Sequence, residues 1–130
     1  MPIEPGLTNE IIYVVVEKDT AAVYGSGLAP VLSTPYLIAL MENAAQTSLT
    51  PYLTPEQSSV GVHVDVRHLA ATPVGMEVRI RSEIVDVVLP RVRFCVEAWD
   101  AVEKIGEGQH ERFVIDSARF MARVAKKRDT

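Results

Sequence analysis

The stretch from Thr34 to Leu49 carries a helical pattern whose apolar side is too wide for a helix resting on a surface. At ~100° per residue, Leu37, Ile38, Leu40, Met41, Ala44, Ala45, Ser48 and Leu49 spread over about half the circumference. So broad an arc predicts a helix wrapped by a sheet. Tyr36, Asn43, Gln46, Thr47 and Thr50 make the polar side. Thr34 is predicted as the N-cap and Pro35 as the first helical residue, where a missing N–H costs nothing. Pro51 ends the helix or lies just past its end.

The flanking segments supply the sheet. Ile11–Glu17 is β-branched and predicts a first strand, followed by a loop from Lys18 to Pro30 rich in Gly and Pro. Ser58–Arg67 alternates strictly. Val60, Val62, Val64 and Val66 share one parity and are expected to face the core. Gly61, His63, Asp65 and Arg67 share the other and are expected to face water. His68 continues the valine parity. Ala71–Gly75 reads as a turn, Met76–Val88 and Arg91–Trp99 as strands joined by Leu89 and Pro90, Asp100–Gly108 as a turn region, and Gln109–Val124 as the last strand. The order is strand, helix, then four strands with short links. It predicts an α+β domain over residues 1–130, an antiparallel sheet around one helix.

Composition narrows the function. A net charge of −4 argues against nucleic acid as the main partner. The basic run Arg123–Arg128 reads as a solvated tail. One cysteine, Cys95, cannot form an intrachain disulfide, which fits a reducing compartment. No secretory leader pattern and no membrane-length apolar run appear, so a soluble, cytoplasmic protein without membrane contact is expected. No zinc-type ligand spacing and no Gly-rich phosphate loop appear, so no metal or cofactor is expected.

Three residues carry candidate chemistry. Glu42 lies at the border of the helix's apolar arc, and reads either as the edge of a solvated face or as a partly desolvated carboxylate able to act as base or nucleophile. Thr34 is either a plain cap or a hydroxyl beside free backbone N–H groups, suited to an oxyanion. His68 is either a satisfied core histidine or a proton carrier. Along the helix, Thr34 and Glu42 are about 12 Å apart at ~1.5 Å per residue, so they would flank a substrate rather than bond to each other. Trp99 and Phe120 read as packing residues, His63 as a surface residue, and His110, Glu111 and Arg112 as polar positions at a strand start. An arginine at position 112 could also meet a phosphate.

In combination these features are more specific. Ser33–Glu42 (STPYLIALME), Gly61–His68, Ala70–Gly75 (AATPVG) and Ile105–Arg112 (IGEGQHER) resemble hotdog-fold thioesterases, and most closely the fluoroacetyl-CoA thioesterase-like family. The resemblance runs from about Ile11 to Phe120. It implies a hotdog fold, and a catalytic threonine, glutamate and histidine that fall on Thr34, Glu42 and His68. It implies that Gly61 lets a thioester approach bare backbone and that Arg112 contributes to substrate binding. It implies a homodimer with sheets joined edge to edge and the site at the subunit interface. In one loop the chain departs from the family: Tyr24–Pro30 has a glycine and Leu28 at the places of two aromatic lid residues. Leu28 is therefore a candidate substrate contact, and fluoroacetyl selectivity does not follow.

The resulting expectation is hydrolysis of a small acyl-CoA to free acid and CoA. The alternative is a non-catalytic acyl-CoA or small-ligand binding module on the same fold. Enoyl-thioester hydration is disfavoured, because no aspartate–histidine pair has the hydratase spacing.

Overall fold

A computed structural model describes residues 2–129. Five strands form one antiparallel sheet in the order β1-β3-β4-β5-β2, with β1 at Thr8–Val14, β2 at Gln57–His68, β3 at Glu77–Val88, β4 at Arg91–Trp99 and β5 at Lys104–Asp116. A short helix α1 (Ala21–Tyr24) precedes the long helix α2 (Thr34–Leu49), and α3 (Ser117–Ala125) follows β5. The inner face of the sheet curves around α2. Leu37, Leu40, Met41, Ala44, Ala45 and Leu49 are buried there against Val78, Ile80, Ile84, Val92, Phe94 and Val96. Each such leucine contributes about 2 kcal/mol by leaving water. This is the hotdog architecture, and the wide apolar arc is its cause.

Several boundaries differ from expectation. The first strand begins three residues earlier, because Thr8 and Asn9 still find partners in Glu83 and Ser82 of β3. Asn9 also donates from Nδ2 to the Ala44 carbonyl and the Thr47 hydroxyl, which ties β1 to α2. The last strand starts at Lys104, ends at Asp116, and gives way to α3. There the Asp116 side chain accepts from Arg119 N at 2.9 Å and caps the helix. The turn before β5 is only Asp100–Glu103, pinned by the Asp100 carboxylate accepting from Val102 N and Glu103 N.

The most consequential difference is in β2. Gly61 pairs with Arg112 and His63 with Glu111, so Val62 is an extra residue, a β-bulge. The bulge reverses parity. Ser59 and Gly61 before it, and Val64, Val66 and His68 after it, all face α2, while Val60 lies opposite Phe113 on the outer face. The expectation of one continuous valine face therefore fails at Val60 and Val62. His63, Asp65 and Arg67 point outward as expected. β2 is also an edge, and Val62 and Val64 are 49% and 38% exposed beside it.

Among the described residues, no helix is long and apolar enough to cross a membrane.

Candidate active site

The chain's own local chemistry brings Thr34 to His68. Ser33, not Thr34, is the N-cap: its Oγ accepts from Tyr36 N at 3.1 Å, and Thr34 and Pro35 are the first two helical residues. That correction matters, because capping by Ser33 leaves the Thr34 hydroxyl free. The entry to α2 is held by Leu32 N donating to the Thr72 carbonyl and Ser33 N donating to the Asp19 carbonyl, both at 2.9 Å. On the other side, His68 ends β2 opposite Gly106. A Cβ at Gly106 would lie 2.9 Å from Leu37 Cδ2 and 3.1 Å from Met41 Cε, so the bare backbone there gives these α2 side chains room over β5. The result is a 2.7 Å hydrogen bond between Thr34 Oγ1 and His68 Nδ1.

His68 Nε2 is shielded from water and has no hydrogen-bond partner among the described residues. Burial lowers the His68 pKa below its ordinary value, opposed by a hydrogen bond with the backbone of Ala70. The imidazole is therefore neutral at pH 7 and able to accept a proton.

Glu42 lies two turns further along α2 in a different setting. Its Oε2 is 3.5 Å from Arg112 Nη1 and 4.0 Å from His110 Nε2. The carboxylate is partly exposed, whereas Arg112 is 7% exposed and His110 1%. Arg112 donates from Nε to Ser59 Oγ at 2.9 Å, from Nη2 to the Ser59 carbonyl at 3.1 Å, and from Nη1 to His110 Nε2 at 3.1 Å. Burial lowers the Arg112 pKa while Glu42 opposes the shift. Gly61 sits under the carboxylate: a Cβ there would lie 2.5 Å from Glu42 Oε2 and 3.2 Å from His110 Cε1. A cavity of about 310 Å³ lined by Ala39, Glu42, Asn43, Gln46, Ser59 and Arg112 opens over the carboxylate.

The sequence candidates thus fall into two groups. Thr34 and His68 meet directly. Glu42, Gly61 and Arg112 meet each other but not the first pair. Leu28 stands apart at the tip of the loop between α1 and α2, 95% exposed. Ser59 carries no signal of its own in the sequence, and His110, read there as a polar position at a strand start, lies in the middle of β5. A parity count adjusted for the bulge would have found Ser59, which sits one residue pair from Gly61. His110 shares the inner parity of β5 with Arg112.

The curved sheet and the helix it encloses define a hotdog fold. The family model for fluoroacetyl-CoA-specific thioesterases matches residues 15–118. A curated fluoroacetyl-CoA thioesterase from Streptantibioticus cattleyicolor is 40% identical over 97 residues, 75% of this chain and 70% of that protein. A solved structure of the fluoroacetyl-CoA thioesterase superposes with a TM-score of 0.93 at 33% identity, covering 98% of each chain. A thioesterase superfamily member from Thermus thermophilus gives 0.92 at 28% identity, covering 98% of this chain and 95% of that one. The chain belongs to the fluoroacetyl-CoA-specific thioesterase family.

Proposed function

We propose that this protein hydrolyses small acyl-CoA thioesters to free acid and CoA as a cytoplasmic homodimer, with no cofactor beyond the CoA of its substrate. The observation that carries the reading is the 2.7 Å Thr34–His68 hydrogen bond on the same sheet face as the Glu42–Arg112 ion pair, within a family of thioester hydrolases. Water attacks the thioester carbonyl directly, or Glu42 attacks first, expelling the CoA thiolate, and water then hydrolyses the resulting anhydride. In either route His68 takes the water proton and passes it to the CoA thiolate. Thr34 orients the imidazole and, with it, the carbonyl oxygen or the attacking water.

Within one chain these groups are far apart. Thr34 and Glu42 are separated by about 12 Å along α2. From Gly61 to His68 is seven residues of extended chain, roughly 20 Å at ~3.3 Å per residue. One substrate carbonyl cannot reach both ends. The free edge of β2 offers a solution. If two copies pair antiparallel across a dyad at Asp65, with Val62 bulged out of each strand, Gly61 of one copy lies opposite the partner's His68. Such pairing also covers Val62 and Val64 and removes an exposed edge. The composite site then draws Thr34 and His68 from one copy, and Glu42, Gly61 and Arg112 from the other. Gly61 gives the thioester room against bare backbone, Arg112 binds substrate through the carboxylate it holds, and Leu28 covers the acyl group from the loop before α2.

Thiol release from a panel of acyl-CoAs, from acetyl and fluoroacetyl to long-chain and aryl groups, tests the reading. Turnover that disappears in His68→Ala supports it. Silence across the panel with folded protein would favour the binding-module alternative. Fluoroacetyl preference is not part of the proposal, because the loop Tyr24–Pro30 offers glycine and Leu28 in place of aromatic lid residues.

A further inference from the structure

His110, 1% exposed, is buried beside the Glu42–Arg112 pair, with Nε2 4.0 Å from Glu42 Oε2. Its partners fix its protonation. Nδ1 is 2.8 Å from the carbonyl oxygen of His63, which can only accept, so Nδ1 carries the proton. Nε2 is 3.1 Å from Arg112 Nη1, which can only donate, so Nε2 presents its lone pair. The ring is thus neutral and held in a single tautomer. The carbonyl that fixes it belongs to the residue just after the bulge, so the irregularity of β2 and the tautomer are parts of one device.

We infer that His110 is a positioning residue: as a neutral acceptor backed by the β2 bulge, it aims Arg112 Nη1 at the Glu42 carboxylate. This rests on the reading of Glu42 as a catalytic group. Without the acceptor, Nη1 loses its in-plane partner and only Ser59 restrains the guanidinium, through Nε and Nη2. With a protonated ring, an N–H would be turned on the guanidinium. The charged and titratable groups facing His110 are Arg112 on its own strand, Glu42 from α2 and His63 from β2, while β4 contributes the apolar ring of Phe94 with centroids 6.1 Å apart. Burial is the largest influence on His110 and favours the neutral form, and Arg112 adds to it.

The alternative is that His110 only fills space against Phe94. His110→Phe and His110→Gln separate the two. Phenylalanine keeps the volume and the stacking but has no acceptor, whereas glutamine can place Oε1 near the Nε2 position. Positioning predicts that His110→Phe lowers kcat by about 10²-fold with KM little changed, as expected for a small misplacement of a reacting group. It predicts that His110→Gln recovers much of the loss, and that His110→Phe costs nothing further in a Glu42→Gln background. If His110→Phe leaves kcat unchanged, or if its effect simply multiplies that of Glu42→Gln, the inference is overturned while the reading of Glu42 stands. If Glu42→Gln alone leaves turnover unchanged, the reading of Glu42 fails and the positioning role goes with it. Nitrogen-15 spectra of the wild-type imidazole, assigned by the signal missing in His110→Gln, give a check independent of folding in His110→Phe. A neutral Nδ1–H ring is expected, and an Nε2–H ring overturns the inference.

Discussion

At the N-terminal end of α2 a hydroxyl and an imidazole meet with few other polar groups around them. Two turns on, Glu42 stands over a guanidinium gripped by Ser59 and His110. The first end depends on backbone placement: Ser33 takes the capping role, Gly106 lets the helix approach, and the Thr72 carbonyl holds the entry to α2. The second end depends on a buried polar network, which in a low-dielectric setting is rigid only while every member is satisfied. A proton-transfer pair can tolerate sparse surroundings if its two atoms are well placed. A carboxylate beside a buried cation needs the cation fixed, because a mobile guanidinium would leave both charges poorly compensated.

Substitution can disable either end. His68→Ala should have the largest effect, lowering kcat by about 10²–10⁴-fold, the usual worth of a positioned acid–base group. Thermal unfolding should move little, because the lost ring has only one hydrogen bond to Thr34 and one to the Ala70 backbone. Glu42→Gln should lower kcat by at least about 10²-fold, read by the same thiol-release assay. Gly61→Ala tests how closely the second end is fitted. Its Cβ would collide with the end of a flexible carboxylate side chain rather than with backbone, so the fold should survive. Turnover should fall, by less than in Glu42→Gln, as the carboxylate swings away from Arg112.

Acid should weaken the fold through the same histidines. Both His68 and His110 have pKa values lowered by burial, so the unfolded chain takes up protons first as pH falls. This stabilisation is complete above about pH 6.5, the unfolded value, and is lost as pH drops through the lowered folded values. His110→Gln should flatten the dependence of Tm on pH in that window; an unchanged slope would remove His110 from the acid response. The smallest effect is expected from Leu28→Ala. The side chain is fully in solvent, so stability should stay within about 0.5 kcal/mol, and any change should appear in the preference among acyl groups.

Much of this was legible in the residues. The wide apolar arc of Thr34–Leu49 announced a wrapped helix, and β4 falls at Arg91–Trp99 as its alternation and the Leu89-Pro90 link indicate. Thr34, Glu42 and His68 stood out as candidates by pattern, and the family resemblance raised them above the plainer cap, surface-edge and core readings. The bulge was not legible. Val62 is a good strand residue, and nothing in its side chain reports that β5 offers it no partner. As a result, strict alternation placed Gly61 and His68 on opposite faces when both face α2. The Asp116 cap and the helical spacing after it were present as signals, but a strand reading ran over them. Ser33 and Thr34 are both acceptable caps, and only the geometry of the 2.7 Å bond to His68 decides which of them is free.

On the proposed reading, the two ends work on one thioester by coming from two copies of the chain. His68→Ala and Glu42→Gln proteins, each carrying a different affinity tag, should be co-expressed and the mixed dimer isolated through both tags. Each variant alone is expected to be inactive. In the mixed dimer one site would carry both substitutions and the other neither, so thiol release should return. A mixed dimer as silent as its parents would contradict the claim and confine the site to a single chain.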